Sequence, residues 1–397
     1  MTEKVKVKHL TKIFGKQISQ AKELMKQGKS KEEILAETGC TVGVNDASFS
    51  INEGEIFVVM GLSGSGKSTL IRMINRLINS TDGDVEIDDQ SVMGLDKEGL
   101  RKLRQDKFGM VFQNFALFPH LTVLENAEYG LTLKKVDQET QEKKAKDALE
   151  LVGLNGYDQQ YPDQLSGGMQ QRVGLARALA NDAEILLMDE AFSALDPLYR
   201  KEMQDLLLQI QEKTHKTVIF IGHDLNEALK LGDRIMIMRD GNIEQIDTPE
   251  DILTHPANDY VERFIEGVDR TQVLTASSVM AKAHVVNIAK AGPRVALRRM
   301  RENDISSIYV VDNENKFVGF ADADDVSELI KQGSKDLHSV LKTDVPKTHA
   351  DTPINDLIND ISKTPIPYIV VDDDDHLLGI ILRGTVLAAI SGKEVTA

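Results

Sequence analysis

At 397 residues the chain is too long for one ordinary hydrophobic core, so two or three domains are expected. Its 47 basic against 63 acidic residues leave a formal charge of −16, which argues against a surface that coats nucleic acid. The single cysteine, Cys40, rules out an internal disulfide framework and points to a reducing cytosol, while neither a signal-type N-terminus nor a run of ~20 apolar residues is present.

Residues 5–14 alternate weakly and read as an edge strand ending in Phe14-Gly15. Residues 17–38 carry helix formers broken at Gly28-Lys29-Ser30, with Ser30 as N-cap and Glu33 in capping-box position; this reads as a helical hairpin inserted between two strands. The second of those strands is read at residues 47–51 and the next, a short buried run, at residues 55–60. Further strands are expected at 85–87, 109–112, 185–188 and 217–221, and helices at 70–77, 141–152 and after Ser166. In the 141–152 helix, Ala145, Ala148, Leu149 and Val152 share one face. Residues 235–238, the turn Asp240-Gly241 and Ile243 suggest a closing hairpin. Strands alternating with helices mean an α/β fold with a largely parallel sheet.

Between the 55–60 strand and the helix after it lies Gly61-Leu62-Ser63-Gly64-Ser65-Gly66-Lys67-Ser68-Thr69, which fits the P-loop pattern G-x-x-x-x-G-K-[ST] in the required context. Glycines without a Cβ let successive N–H groups curl around phosphate oxygens, and the helix N-terminus adds partial positive charge. Lys67 is placed to reach the β- and γ-phosphates, and Ser68 offers an oxygen to Mg²⁺. The reading is a nucleoside triphosphate site. Asp189-Glu190, closing a buried strand, supplies its second half: one carboxylate for Mg²⁺ and one to polarise a water. Leu165-Ser166-Gly167-Gly168-Met169-Gln170 forms a second anion cradle at a helix start. One nucleotide needs a single cradle for its β-phosphate, so a second implies that the γ-phosphate is clamped from another direction.

Beyond about Gly267 the pattern changes. Ser307-Ile308-Tyr309-Val310-Val311-Asp312 recurs as Pro367-Tyr368-Ile369-Val370-Val371-Asp372, and each copy runs on to a glycine, Gly319 or Gly379, then to a helix-like segment. Such a repeat implies two stacked modules sharing one core.

Residues 165–170 resemble the signature motif of ATP-binding-cassette (ABC) ATPases. The other parts of that family occur in its order: the P-loop, Gln113 after Val111-Phe112, the signature, Asp189-Glu190, Ser193-Ala194-Leu195-Asp196 and His223-Asp224. The resemblance implies a P-loop ABC domain over residues 1–266 that binds ATP and Mg²⁺. It also implies a homodimer in which two cassettes sandwich two ATPs, with Ser166 and Gly168 serving the partner's nucleotide. Glu190 would act as base and His223 would bond the γ-phosphate and attacking water. Asp189, Ser68 and Gln113 would attend the metal, Gln113 also signalling to a membrane-domain helix through residues 115–119. Phe14 would stack on adenine, for a flat apolar ring suits a base face. Gly222 stands before His223 where the family often has Ser or Thr.

With the 17–38 insertion and the C-terminal repeat, the whole chain resembles the ATPase of glycine betaine/proline-type osmoprotectant importers. That resemblance implies polytopic permease subunits with a substrate-binding domain or protein, and a place on the cytoplasmic face of the membrane. It identifies residues 267–397 as tandem CBS modules, about 275–333 and 337–393, that regulate transport. Whether they answer to ionic strength, to a cyclic dinucleotide or to neither stays open at this point. Neither module completes the adenosine pattern: Gly319 leads to Asp322 and Asp325, and Gly379 to Leu382 and Thr385. Arg294, Arg298, Arg299 and Arg301 read as a solvated helix face. The rival is a non-transport cassette acting on DNA or ribosomes, which the acidic balance and the single cassette disfavour.

Overall fold

The computed structural model describes residues 2–364 and 366–391, so the end of the 337–393 module lies outside the described residues. The chain forms two compact units, Met1–Glu266 and Gly267–Ala397.

In the first unit the strands are β1 (Glu3–Phe14), β2 (Thr41–Asn52), β3 (Ile56–Gly61), β4 (Asp82–Ile87), β5 (Gln90–Ser91), β6 (Phe108–Phe112), β7 (Ile185–Asp189), β8 (Thr217–Ile221), β9 (Arg234–Arg239) and β10 (Asn242–Asp247). Six of them make one sheet in the order β10-β9-β3-β8-β7-β6, parallel except for the β9–β10 hairpin. Every residue of β3 and β8 is buried, as continuous apolar strands inside a covered parallel sheet must be. The hairpin turns at Asp240 (φ 50°) and Gly241 (φ 87°), the paired left-handed conformation that matches strand twist.

The other four strands form a separate antiparallel sheet, β2-β1-β4-β5. The expectation of an edge strand at residues 5–14 is therefore wrong. The segment is central, with β2 on one side and β4 on the other, because residues 82–87 pair along the edge that β2 leaves free, while Val5, Val7, Leu10 and Ile13 bury. One apolar cluster joins both sheets around the helix Lys67–Ile74: Val7 and Leu10, Phe57 and Val59, Leu70 and Ile74, Leu187 and Ile219 all belong to it. The P-loop is thus held on both sides by core.

The helical insertion consists of Ile18–Lys26 and Lys31–Thr38. Ser30 caps the second helix by accepting from the Glu33 N–H at 3.2 Å, while the Glu33 carboxylate accepts from the Ser30 N–H at 2.7 Å. The hairpin docks through Ala21, Leu24 and Ile34 onto Ile13, Cys40 and Val42. The helix Gln138–Leu151 buries Ala145, Ala148 and Leu149 along the expected face.

Two side chains tie down the segment after Gln113. Arg177, in the helix Gly167–Ala180, donates to the Phe115 and Ala116 carbonyls at 3.1 and 2.7 Å. Fully buried Asn126 accepts from the Phe118 N–H and donates to the Phe118, Leu121 and Thr122 carbonyls.

A four-membered ion cluster joins Lys4 and Lys107 to Asp88 and Glu184. Burial opposes the charged carboxylates, but hydrogen bonds from Lys107 and Lys4 outweigh it and hold Asp88 and Glu184 below their ordinary range. Groups with depressed folded values stabilise fully above their unfolded pKa and lose that contribution as pH falls through the depressed value. The melting temperature should accordingly drop as pH is lowered below about 4.5. Lys4→Met should make the drop shallower, a comparison that thermal melts across pH would check.

The second unit repeats one topology. Strands β11 (Val285–Asn287), β12 (Ser307–Val311) and β13 (Phe317–Asp322) form one sheet; β14 (Lys347–His349), β15 (Tyr368–Val371) and β16 (Leu377–Ile381) form the other, each with a parallel and an antiparallel pairing. The repeat extends to register, since Val310 faces Gly319 and Val370 faces Gly379. Tyr309, Val311 and Phe320 of the first module pack with Ile369, Val371 and Ile380 of the second in one shared core. Burial pushes the Tyr309 phenol up to about 12. The two acidic residues of the first module, Asp322 and Asp325, are both ion-paired to Lys342. In the second, the Thr385 hydroxyl donates to the Leu382 carbonyl at 2.8 Å.

Candidate nucleotide site

A cavity of about 710 Å³ opens over the P-loop, lined by Phe14, Lys31, Gly43, the loop from Gly61, Glu190 and His223. The loop's shape depends on two close approaches. A Cβ on Gly66 (φ 106°) would stand 2.2 Å from the Gly43 carbonyl oxygen, and one on Gly61 2.3 Å from that of Met238. Lys67 begins the helix and is buried; its ammonium donates to the Gly61 and Leu62 carbonyls at 2.8 and 3.1 Å. Burial pulls its pKa down, and the Glu190 and Asp189 charges act against that. The Ser65 hydroxyl is buried with no hydrogen-bond partner among the described residues. Ser63, Gly64, Ser68 and Thr69 also line the cavity, whereas Ser65 does not. A glycine cradle at a helix N-terminus fits a polyphosphate.

The Ser68 hydroxyl lies 3.3 Å from an Asp189 oxygen. Two oxygens at that separation suit neighbouring positions on a small hard cation with ligands at about 2.1 Å. Arg72 reaches the other Asp189 oxygen at 3.5 Å. Glu190 holds φ 50°, an uncommon left-handed backbone for a residue with a side chain. Its N–H donates to Ile221 at 3.1 Å, and its carbonyl accepts from the Ser193 N–H and hydroxyl. The backbone is therefore locked while the carboxylate lines the cavity. At Gly222 a Cβ would meet the Phe220 ring at 3.2 Å and the buried Glu227 carboxyl at 3.4 Å, so a side chain there requires a few tenths of an ångström of give from the ring.

Phe14 ends β1 opposite Thr41, so the insertion leaves and re-enters between paired residues, and the register shifts by one residue just before it, between Lys12–Val44 and Ile13–Val42. Its ring is 41% exposed over Gly43, where a Cβ would stand 2.9 Å away. The residues brought together are thus Phe14, the P-loop, Asp189, Glu190 and His223. Gln113 is exposed and outside the cavity, though it follows Phe112, which pairs with Asp189 across β6–β7. Ser166 and Gly168 also lie outside it; Ser166 caps its helix, accepting from Met169 at 3.4 Å. Four lining residues outside the P-loop were missed: Lys31, Thr41, Gly43 and Phe264. A lone glycine within a strand pattern was a usable signal for Gly43. Nothing local marks the other three.

Residues 44–193 match the ABC transporter family, and residues 290–332 and 336–392 match the CBS domain. The chain is 59% identical to the glycine betaine/carnitine transport ATP-binding protein of Listeria monocytogenes, over 99% of this chain and 98% of that one. It belongs to the ABC transporter ATPases. Within that family it is also 53% identical to the glycine betaine transport ATP-binding protein of Bacillus subtilis, covering 98% of this chain and 93% of the relative. For the glycine betaine/proline betaine ATP-binding protein of Escherichia coli the identity is 47%, with 100% and 99% coverage. Among solved structures, an ATP-binding cassette in a dimeric post-hydrolysis state with ADP and Pi is 37% identical, with a TM-score of 0.52 over 62% of this chain and 98% of that one. As an ABC ATPase the chain binds nucleotide and works as one of a pair of ATPase subunits with membrane permease partners. Among the described residues no helix is long and apolar enough to cross a membrane.

Proposed function

We propose that this ABC ATPase hydrolyses ATP to energise import of a quaternary-amine osmoprotectant of the glycine betaine type. It would do so as a homodimer on the cytoplasmic face of the membrane, under permease subunits joined to a substrate-binding domain or protein. The observation that carries the reading is end-to-end identity of 59% with a glycine betaine/carnitine transport ATP-binding protein. The relatives are transport proteins by name, which disfavours the DNA or ribosome alternative.

In this reading ATP lies along the cavity with adenine on Phe14 and its phosphates in the loop from Gly61 to Thr69. Ser68 and Asp189 would hold Mg²⁺, with Gln113 beside them; when bound, the metal offsets charge on the β- and γ-phosphates. Lys67 leaves the loop carbonyls for the β- and γ-phosphate oxygens. The Glu190 carboxylate polarises water for in-line attack, and His223 hydrogen-bonds that water and the γ-phosphate. Ser166 and Gly168 of each copy close over the other copy's γ-phosphate. ATP binding closes the dimer, hydrolysis reopens it, and the permeases alternate access.

Residues 267–397 form the regulatory part, answering to ionic strength or to a cyclic dinucleotide rather than to ATP or AMP. The Asp322–Lys342–Asp325 cluster supports the last point, because its carboxylates are already engaged. Proteoliposomes carrying the full transporter should take up glycine betaine only with ATP. Their turnover should respond to salt or to cyclic di-AMP, titrated separately, and removal of residues 268–397 should abolish the response while sparing turnover. ATP-independent uptake, or co-purification with RNA or DNA instead of a permease, would overturn the proposal.

A further inference from the structure

We infer that Lys31, carried by the inserted helical hairpin, is a second cationic contact for the triphosphate; this rests on the ATP reading above. The family's nucleotide parts all lie outside residues 17–38, so the hairpin has no task in that scheme. Yet Lys31 lines the same cavity as Lys67, Ser68 and Glu190. Its ammonium donates to the Gly64 carbonyl at 3.0 Å, in the middle of the P-loop. An ammonium has three N–H donors, and this bond uses one.

The neighbouring lysine provides the internal contrast. Lys29 is matched by Glu33 at 2.9 Å and by Glu37 at 4.0 Å. Lys31 has no carboxylate partner among the described residues, so its charge is left for whatever enters the cavity. Its position is also fixed. The Ser30–Glu33 capping box sets the turn just before it, and Ile34 anchors the same helix in the core beside Leu24 and Val42. Gly64 has φ 79°, and a Cβ there would meet nothing within 4 Å, so the loop is open around the lysine's contact. A half-buried cation at the rim of a site for a polyanion is screened less than a free surface charge.

The test is calorimetric titration of ATP into the full chain in EDTA, where hydrolysis cannot proceed, at low and high salt. Lys31→Met should weaken ATP about three- to tenfold at low salt, with the gap narrowing at high salt, and Lys31→Arg should restore it. AMP, lacking the β- and γ-phosphates, should lose little. The contact is refuted if Lys31→Met binds ATP like the parent. It is equally refuted if ATP and AMP weaken alike, independent of salt, with a lowered melting temperature, for then Lys31 merely braces the loop. Lys67→Ala serves as the separate control: if it bound ATP normally, the nucleotide reading itself would fail.

Discussion

Glu190→Gln is expected to bind ATP as tightly as the parent, to hydrolyse it about 10²- to 10⁴-fold more slowly, and to accumulate as a closed dimer. The amide has nearly the shape of the carboxylate, but it cannot accept a proton from water. Because the backbone at φ 50° is fixed by Ile221 and Ser193, the substitution should leave the cavity's outline intact. Binding and chemistry then separate: titration reports the first, single-turnover hydrolysis the second, and size-exclusion chromatography with ATP the closed dimer. Hydrolysis at the parent rate would remove the base role from Glu190 and transfer attention to His223.

The second large effect concerns which copy completes which pocket. Ser166 and Gly168 lie outside the cavity of their own chain, and the Ser166 hydroxyl caps its own helix at a long 3.4 Å. Lys67→Ala and Ser166→Arg can be placed in one copy of a mixed dimer or divided between the two. If each signature serves the opposite P-loop, both substitutions in one copy spoil both pockets, and hydrolysis is lost. Divided between copies, they fall in the same pocket and leave the other whole, so hydrolysis persists at that site. The reverse pattern in tagged, purified mixed dimers would show that each chain completes its own pocket.

Much of this arrangement was readable because nucleotide chemistry is written locally. Gly61 to Thr69 lie consecutively, Asp189 and Glu190 end a visibly apolar strand, and the C-terminal repeat shows its register through Gly319 and Gly379. What was not readable depends on contacts distant in sequence. Residues 5–14 alternate in the same way at the edge or the centre of a sheet, and only the arrival of residues 82–87 makes that strand central. Lys31 sits in an ordinary helix-forming stretch, and nothing near it signals that Gly64, 33 residues on, will meet its ammonium. Gln113 was placed by motif alone, and its side chain lies apart from the cavity in this structure.

Arg177 and Asn126 carry one mechanical consequence. The strip at residues 115–122 is bolted at one end to the helix that Ser166 caps and at the other to a buried amide. In the proposed dimer, force applied to it by a neighbouring protein would pass to the helix that Ser166 caps through the two Arg177 hydrogen bonds, and a shift of that helix would return to the strip by the same route.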